Sequence, residues 1–268
     1  MNQDDLRLSR IETLWSVVRQ ANEGSLEKAR QAQQTLLERY GGAIRRYLLG
    51  SLRSEDAADE VFQEFSLKLV SGAFQKADAS HGRFRSFLKT TLFHLIIDYQ
   101  RRGKRDATRA LLGETPDRPF CEDRLAEEER AWTRSWREEL LAKGWSALAK
   151  TEQSTGTPYC TVLRFRSEHP ELRSQEIADQ LNAKVAAEET ADPLPAKVAK
   201  KLGSSSVRVL IHRAREMLAE AVLDLVLDSI DSASLEECEQ ELIDLNLLEY
   251  CRSALQRRRG EPSDALPG

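Results

Sequence analysis

RFRSFLKTTLFHLIIDYQRRGKR, residues 83–105, is the stretch that decides how this chain folds and what it meets. An aromatic and aliphatic helix runs directly into a dense basic cluster. Phe87, Leu88, Leu92, Leu95, Ile96 and Tyr99 fall at helical spacing and are expected in a core. Arg83, Arg85, Lys89, Arg101, Arg102, Lys104 and Arg105 stand against Asp98 alone, a net charge of +6, whereas the whole chain carries −4. Such a patch on an acidic protein needs a local partner, and phosphate is the commonest one. Phe84, Phe87, Phe93 and Tyr99 sit among the cations, which suits a nucleic-acid strand whose unstacked bases rest on rings while cations follow its backbone. Taken alone, the segment also reads as a core helix with a solvated basic end.

The rest of the composition points the same way. With 268 residues the chain has room for two small domains. Hydrophobic content of 40 % and charged content of 31 %, with only 13 Gly and 8 Pro, favour helices over sheet. The expected fold is all-α: two small helical domains joined by a flexible linker, the second with a helix-turn-helix, plus a helical C-terminal extension. No apolar run approaches the roughly 18 residues of a membrane span, and MNQDDLRLSR lacks the apolar core of a signal peptide. Cys121, Cys160, Cys238 and Cys251 form no CxxC pair, so reduced thiols and a cytoplasmic protein are expected. The four histidines are scattered, and neither a metal nor a cofactor is expected.

Breaks along the chain suggest its organisation. Residues 1–29 read as a helical N-terminal extension and 30–105 as the first domain. In it, Ser54 or Asp56 can cap a helix on which Ala57, Val61, Phe62, Phe65, Leu67 and Leu69 recur, with Gly72 closing it. Residues 106–126, with Gly113, Pro116 and Pro119, read as a linker. The second domain spans 127–230; TGTP at 155–158 and Pro170 punctuate its helices, and Ser174 is placed to cap the one that follows. Residues 231–268 form an acidic helical extension whose final QRRRGEPSDALPG reads as disordered.

KVAKKLGSSSVRVLIHRAR, 197–215, has the order of a helix-turn-helix. A short helix ends at Gly203 in a left-handed turn, and Ser204 or Ser205 caps the next. Val207, Leu210, Ile211, Ala214 and Leu218 share a buried face, while Arg208, His212 and Arg215 line the opposite one. Residues 196–215 hold six basic residues and no acid, which suits a helix lying in a DNA major groove. An ordinary charged helical hairpin is the bland alternative. SQEIADQLN at 174–182 also has the form of a first helix, which would make about 183–197 an insertion; the sequence leaves open which helix packs under 205–215.

With these elements in view, the chain resembles the extracytoplasmic-function (ECF) sigma factors of bacterial RNA polymerase, members of the sigma-70 family. LLERYGGAIRRYLL at 36–49 resembles the opening helix of region two, and EDAADEVFQEFSLKLV at 55–70 its Asp-x-x-x-Gln-Glu helix. GRFRSFLKTTLFHLIIDYQRR at 82–102 resembles the segment that melts the promoter and reads its −10 element. SSSVRVLIHRAREML at 204–218 resembles the recognition helix of region four. TLWSVVRQANEG and ELIDLNLLEYC further resemble a divergent, planctomycete-type subgroup.

The resemblance implies roles. Asp59, Phe62, Gln63, Glu64 and Phe65 would dock on the coiled coil of the polymerase β′ subunit, where charge complementarity sets register and on-rate. Arg83, Lys89, His94, Asp98, Arg101, Arg102, Lys104 and Arg105 would engage the −10 DNA. Family members commonly carry Asn where His94 stands, in contact with a flipped base, so either the base preference differs here or another side chain makes the contact. Ser204, Ser205, Ser206, Arg208, His212, Arg213 and Arg215 would read the −35 element. In this chain AKTEQSTGTPYC replaces the usual Leu-Pro opening of region four, and the insertion lengthens the unit. The implied partners are core RNA polymerase, through its β′ and β subunits, and promoter DNA; an anti-sigma or other regulatory protein is a further partner the resemblance allows. No small-molecule substrate, membrane or catalysis of its own is implied.

Other readings compete. Asp59 with Gln63 and Glu60 with Glu64 share helix faces, but no nearby histidine completes a diiron pattern. An ordinary helix-turn-helix repressor or activator would bind duplex DNA without polymerase, and a helical adaptor would use its charge only for solubility. Residues 216–251 hold eleven acids and no Lys or Arg. They read as a helical extension packed on the second domain, or as an acidic cover for a basic DNA-binding face.

Overall fold

Apolar residues recur every three to four positions throughout, and the computed structural model folds accordingly. It describes residues 26–71, 84–111, 122–186, 201–230 and 234–260, among which there are nine helices and no strand. They are α1 (Leu26–Leu52), α2 (Glu55–Val70), α3 (Phe84–Leu111), α4 (Glu122–Thr155), α5 (Tyr159–Glu168), α6 (Ser174–Ala186), α7 (Ser204–Leu227), α8 (Leu235–Asp244) and α9 (Leu248–Arg259). The all-α class read from the sequence is correct. The expected N-terminal extension lies almost wholly outside the described residues, as does most of the insertion.

The described residues form two units: those up to Glu139 with Leu227–Leu245, and Leu140–Val226 with those from Asn246. Tyr40 of α1 stacks on Trp136 of α4 with ring centroids 4.7 Å apart, and Tyr47 meets Trp132 edge-on at 5.4 Å. Both tryptophans are buried. Each such ring removes roughly 150–250 Å² from water, an upper-bound gain of about 4–6 kcal/mol, which binds the first half of α4 to the first unit. Within the stretch expected as a linker, α3 continues to Leu111 and α4 begins at Glu122, and residues 112–121 lie outside the described residues.

In the first unit α1 and α2 are joined by only two residues. Arg53 takes a left-handed conformation (φ 54°), and Ser54 then caps α2 by accepting from the Ala57 N–H at 3.3 Å. Ser54 is thus the cap, in preference to Asp56. Ala43, Ile44 and Leu48 of α1, Val61, Phe65 and Leu69 of α2, and Leu88, Leu92 and Ile96 of α3 make the core. Phe87 and Tyr99, expected there, are only half-buried. Gly42 has a packing reason: a Cβ there would sit 2.3 Å from the Glu139 carboxylate, which Arg46 holds by donating from Nη1 at 3.0 Å.

The C-terminal extension does not pack on the second unit as one piece. Leu227–Leu245, with α8, belongs to the first unit. The Arg39 guanidinium donates to the Asp228 carbonyl, the Tyr40 hydroxyl donates to that of Ser229, and Cys238, Leu242 and Leu245 are buried. The α9 helix returns to the second unit, and residues 256–259, expected to be disordered, form its last turn. There Arg257 and Arg258 reach Glu216, Glu220 and Asp224 of α7.

In the second unit α6 is tied to the approach to α7, while the alternative helix at 197–202 lies largely outside the described residues. The Asn182 side chain, near the end of α6, donates to the Leu202 carbonyl and accepts from the Leu202 N–H, both at 2.9 Å. This two-way bond ties α6 to the residue that leads into α7. Gly203 is not left-handed as expected; its carbonyl accepts from the Val207 N–H at 3.0 Å, so Gly203 opens α7 and Ser204 and Ser205 lie inside the helix. Likewise α6 begins at Ser174, and Glu176 reaches back to accept from the Arg173 N–H at 2.6 Å. Gly144 of α4 lets α7 approach, since a Cβ there would meet Leu218 at 2.8 Å and Val222 at 3.0 Å.

Candidate polymerase and promoter surfaces

Helix α2 buries Val61, Phe65 and Leu69 and turns Asp56, Glu60, Gln63 and Leu67 outward. Phe65, 3 % exposed, holds the helix in place and is not available for docking. Phe62 is half-buried and Gln63 exposed. Asp59 pairs with Arg45 of α1 at 2.8 Å, and both side chains remain largely accessible. Leu67 is 69 % exposed, which the sequence reading missed by placing it with the core residues. Its position two residues from both Phe65 and Leu69 is the signal that it faces the other way. The outward face of α2 is therefore acidic and amide-bearing, with one protruding leucine.

Glu64 lies at the edge of that face and joins it to α3. Its carboxylate accepts from the Arg102 Nη2 at 2.6 Å and lies 3.2 Å from the Lys68 ammonium. The hydrogen bond from Arg102 is the main reason the Glu64 carboxyl is held below the usual carboxylate range; the same bond raises the Arg102 guanidinium further. A residue expected to meet polymerase is thus in contact with one expected to meet DNA.

On α3, His94, Asp98 and Arg101 are exposed along one stripe, beside the core row of Leu88, Leu92, Leu95 and Ile96. Lys89 is half-buried, 2.7 Å from the accessible Glu129 carboxylate of α4. Arg83 lies outside the described residues, and of Lys104 and Arg105 only the helical backbone is described. Arg85 differs from the other cations. Its side chain is 14 % exposed, and its Nε sits 2.8 Å from Oε1 of Glu241, although the Nε–H is not aligned for a hydrogen bond. Its Nη2 donates to Glu241 Oε2 at 3.3 Å, with Asp244 at 3.8 Å. A surface pair such as Lys89–Glu129 is worth about 0–1 kcal/mol and yields readily to phosphate. The enclosed Arg85–Glu241 pair does not.

On α7, Val207, Ile211, Ala214 and Leu218 are buried, while Ser205, Ser206, Arg208, His212, Arg213 and Arg215 are exposed and Ser204 is half-buried. His212 Nε2 lies 3.7 Å from the Glu216 carboxylate. Val209, which the sequence reading passed over, is 50 % exposed among them. Among the described residues no group of three or more His, Cys, Asp or Glu is placed to hold a metal ion. No helix among them is long and apolar enough to cross a membrane.

In the first unit an acidic helix thus packs against an aromatic and basic one. Residues 36–106, spanning α1 to α3 and lying wholly in that unit, match the family model of Sigma-70 region 2. The match supports a sigma-70-type sigma factor, with the polymerase-binding and promoter-recognising role of that region. No curated protein and no solved structure matches the chain.

Proposed function

We propose that the chain is an ECF-type sigma factor, of the planctomycete-type subgroup its terminal segments resemble, which works in the cytoplasm without a cofactor or catalysis of its own. Helix α2 docks on core RNA polymerase through Asp59, Gln63, Glu64 and the exposed Leu67, with Phe62 at the margin. An acidic face with one aliphatic anchor suits a basic, amphipathic partner helix such as the β′ coiled coil. Helix α3 opens and reads the −10 element: His94 and Asp98 face the bases, while Arg101, with Lys89 and Arg102 once their carboxylates give way, neutralises phosphates. Extruding a base costs a few kcal/mol, which contacts to its edge and stacking on a ring offset. Helix α7, whose leading residue Leu202 is held by Asn182 of α6, reads the −35 element.

The observation that carries this reading is that the Sigma-70 region 2 match spans the three helices presenting these two faces. The test is transcription by bacterial core RNA polymerase with the full-length protein on a library of randomised −35 and −10 sequences. Initiation from a defined promoter class, lost in Asp59→Ala plus Gln63→Ala and in Arg101→Ala plus Arg102→Ala, is expected. Tight binding to duplex DNA with no polymerase binding would instead make the protein an ordinary helix-turn-helix regulator.

A further inference from the structure

The outward side of α7 is ordered by the phase of the helix. Taking 100° per residue, the buried row of Val207, Ile211, Ala214 and Leu218 fixes the inner direction. Val209 lies almost diametrically opposite it, with Ser205 one turn before and His212 and Glu216 after. Arg208 and Arg215 fall on one flank of this crest, and Ser206 and Arg213 on the other. The crest is where a helix lying in a major groove approaches the base edges, and the flanks face the two phosphate walls. A half-exposed valine at the centre of a crest flanked by cations keeps about half its apolar surface in water. It offers methyl groups where a thymine offers its C5 methyl, and the major-groove edge of no other base carries such a group.

We propose that Val209 reads a thymine of the upstream promoter element by methyl-to-methyl contact, and that it is a specificity-determining residue of α7. Ser205 and His212 read the bases on either side. They lie about 10 Å apart along the axis, the length of about three base-pair steps. Arg208, Arg213 and Arg215 act as phosphate clamps that fix the register of the helix and do not choose bases. The inference rests on the reading of α7 as the −35 helix.

The test uses the full-length protein with bacterial core RNA polymerase. An upstream element is selected from a randomised library, and each thymine in it is replaced, one at a time, by deoxyuridine, which lacks only the C5 methyl. One position is expected to lose about fourfold in binding, the value of one buried methyl group. Val209→Ala should abolish that sensitivity and leave all other positions as they were; the residue is exposed and alanine favours helix, so the variant folds. Arg208→Ala should weaken every sequence alike and make binding less dependent on salt. A selected element with no methyl-sensitive thymine, or a sensitivity that survives in Val209→Ala, overturns the role of Val209 while leaving α7 as the −35 helix. Selection of no upstream preference at all overturns both.

Discussion

The Arg85 guanidinium of α3 and the Glu241 carboxylate of α8, 156 residues apart in the chain, form an enclosed ion pair at 2.8 Å, with Glu241 only 2 % exposed. This contact changes the meaning of the acidic extension. A detachable cover would meet its basic face through exposed pairs, whereas Cys238 and Leu242 of α8, and Leu245 just after it, are completely buried. The helix is therefore a structural part of the first unit. Glu241→Ala leaves the enclosed Arg85 charge with only the Asp244 carboxylate at 3.8 Å, which costs at most about 3–5 kcal/mol. The expected outcome is a large loss of stability of the first unit in urea denaturation of the full chain. Deletion of the chain from Ser234 onward should likewise lower polymerase binding; a gain of DNA binding would restore the cover reading.

Glu64 and Arg102 give a pH dependence with a definite sign. The Arg102 hydrogen bond depresses the folded-state pKa of Glu64. The pair's stabilisation is thus fully present above the unfolded-state carboxylate pKa and is lost as pH falls through the lower folded-state value. Because the pair is accessible, its worth is at most about 1 kcal/mol. In Arg102→Ala the Glu64 titration, followed by carboxyl NMR, should move upward towards the ordinary range. An unmoved midpoint would mean that Arg102 does not hold this carboxylate in solution.

His94 projects from α3 one turn before Asp98, exposed and outside the core row. A change there should therefore alter promoter choice without altering the fold. Replacing His94 with Asn gives a side chain that donates and accepts from one amide, unlike neutral imidazole, which presents one donor and one acceptor on opposite sides of its ring. His94→Asn is expected to shift base preference at a single −10 position by about 1–3 kcal/mol, roughly five- to 150-fold, with polymerase affinity unchanged. Transcription from a randomised −10 library reads both quantities.

Local chemistry made much of this legible in the sequence. TGTP and Pro170 bracket α5, Ser54 announces α2, and the apolar period runs through α7, because each signal lies within the helix it bounds. The extension was not legible for the opposite reason. Nothing within Leu235–Asp244 says that its buried face belongs with Arg85, and nothing in QRRRG tells a frayed tail from a clamp whose acids lie about 40 residues back. At the candidate surfaces, the aromatic and basic composition located α3. Which of its cations are already engaged depends on Glu64, Glu129 and Glu241, each distant in sequence and none marked by a motif. Leu67 and Val209 were passed over because apolar residues in an amphipathic run read as core by default, and only the phase of the helix separates them from it.

The α7–α9 clamp provides the last prediction. Arg257 Nη1 lies 3.1 Å from Glu216 and its Nη2 3.0 Å from Glu220, while Arg258 Nη2 lies 2.5 Å from Asp224 and 3.5 Å from Glu220. Burial opposes the Arg258 charge, yet Asp224 and Glu220 together raise its guanidinium above the ordinary value. Three carboxylates stacked at four-residue intervals on α7 repel one another unless both arginines are present. Unlike a single surface pair, this network should therefore be measurable, at about 1–2 kcal/mol above the single-pair range once the restored repulsion is included. Arg257→Ala plus Arg258→Ala should destabilise the second unit in thermal unfolding at low salt. The loss should shrink towards 1 M salt, where the screening length falls to about 3 Å. A deficit independent of salt would mean that the arginine stems, packed on α7, matter more than their charges.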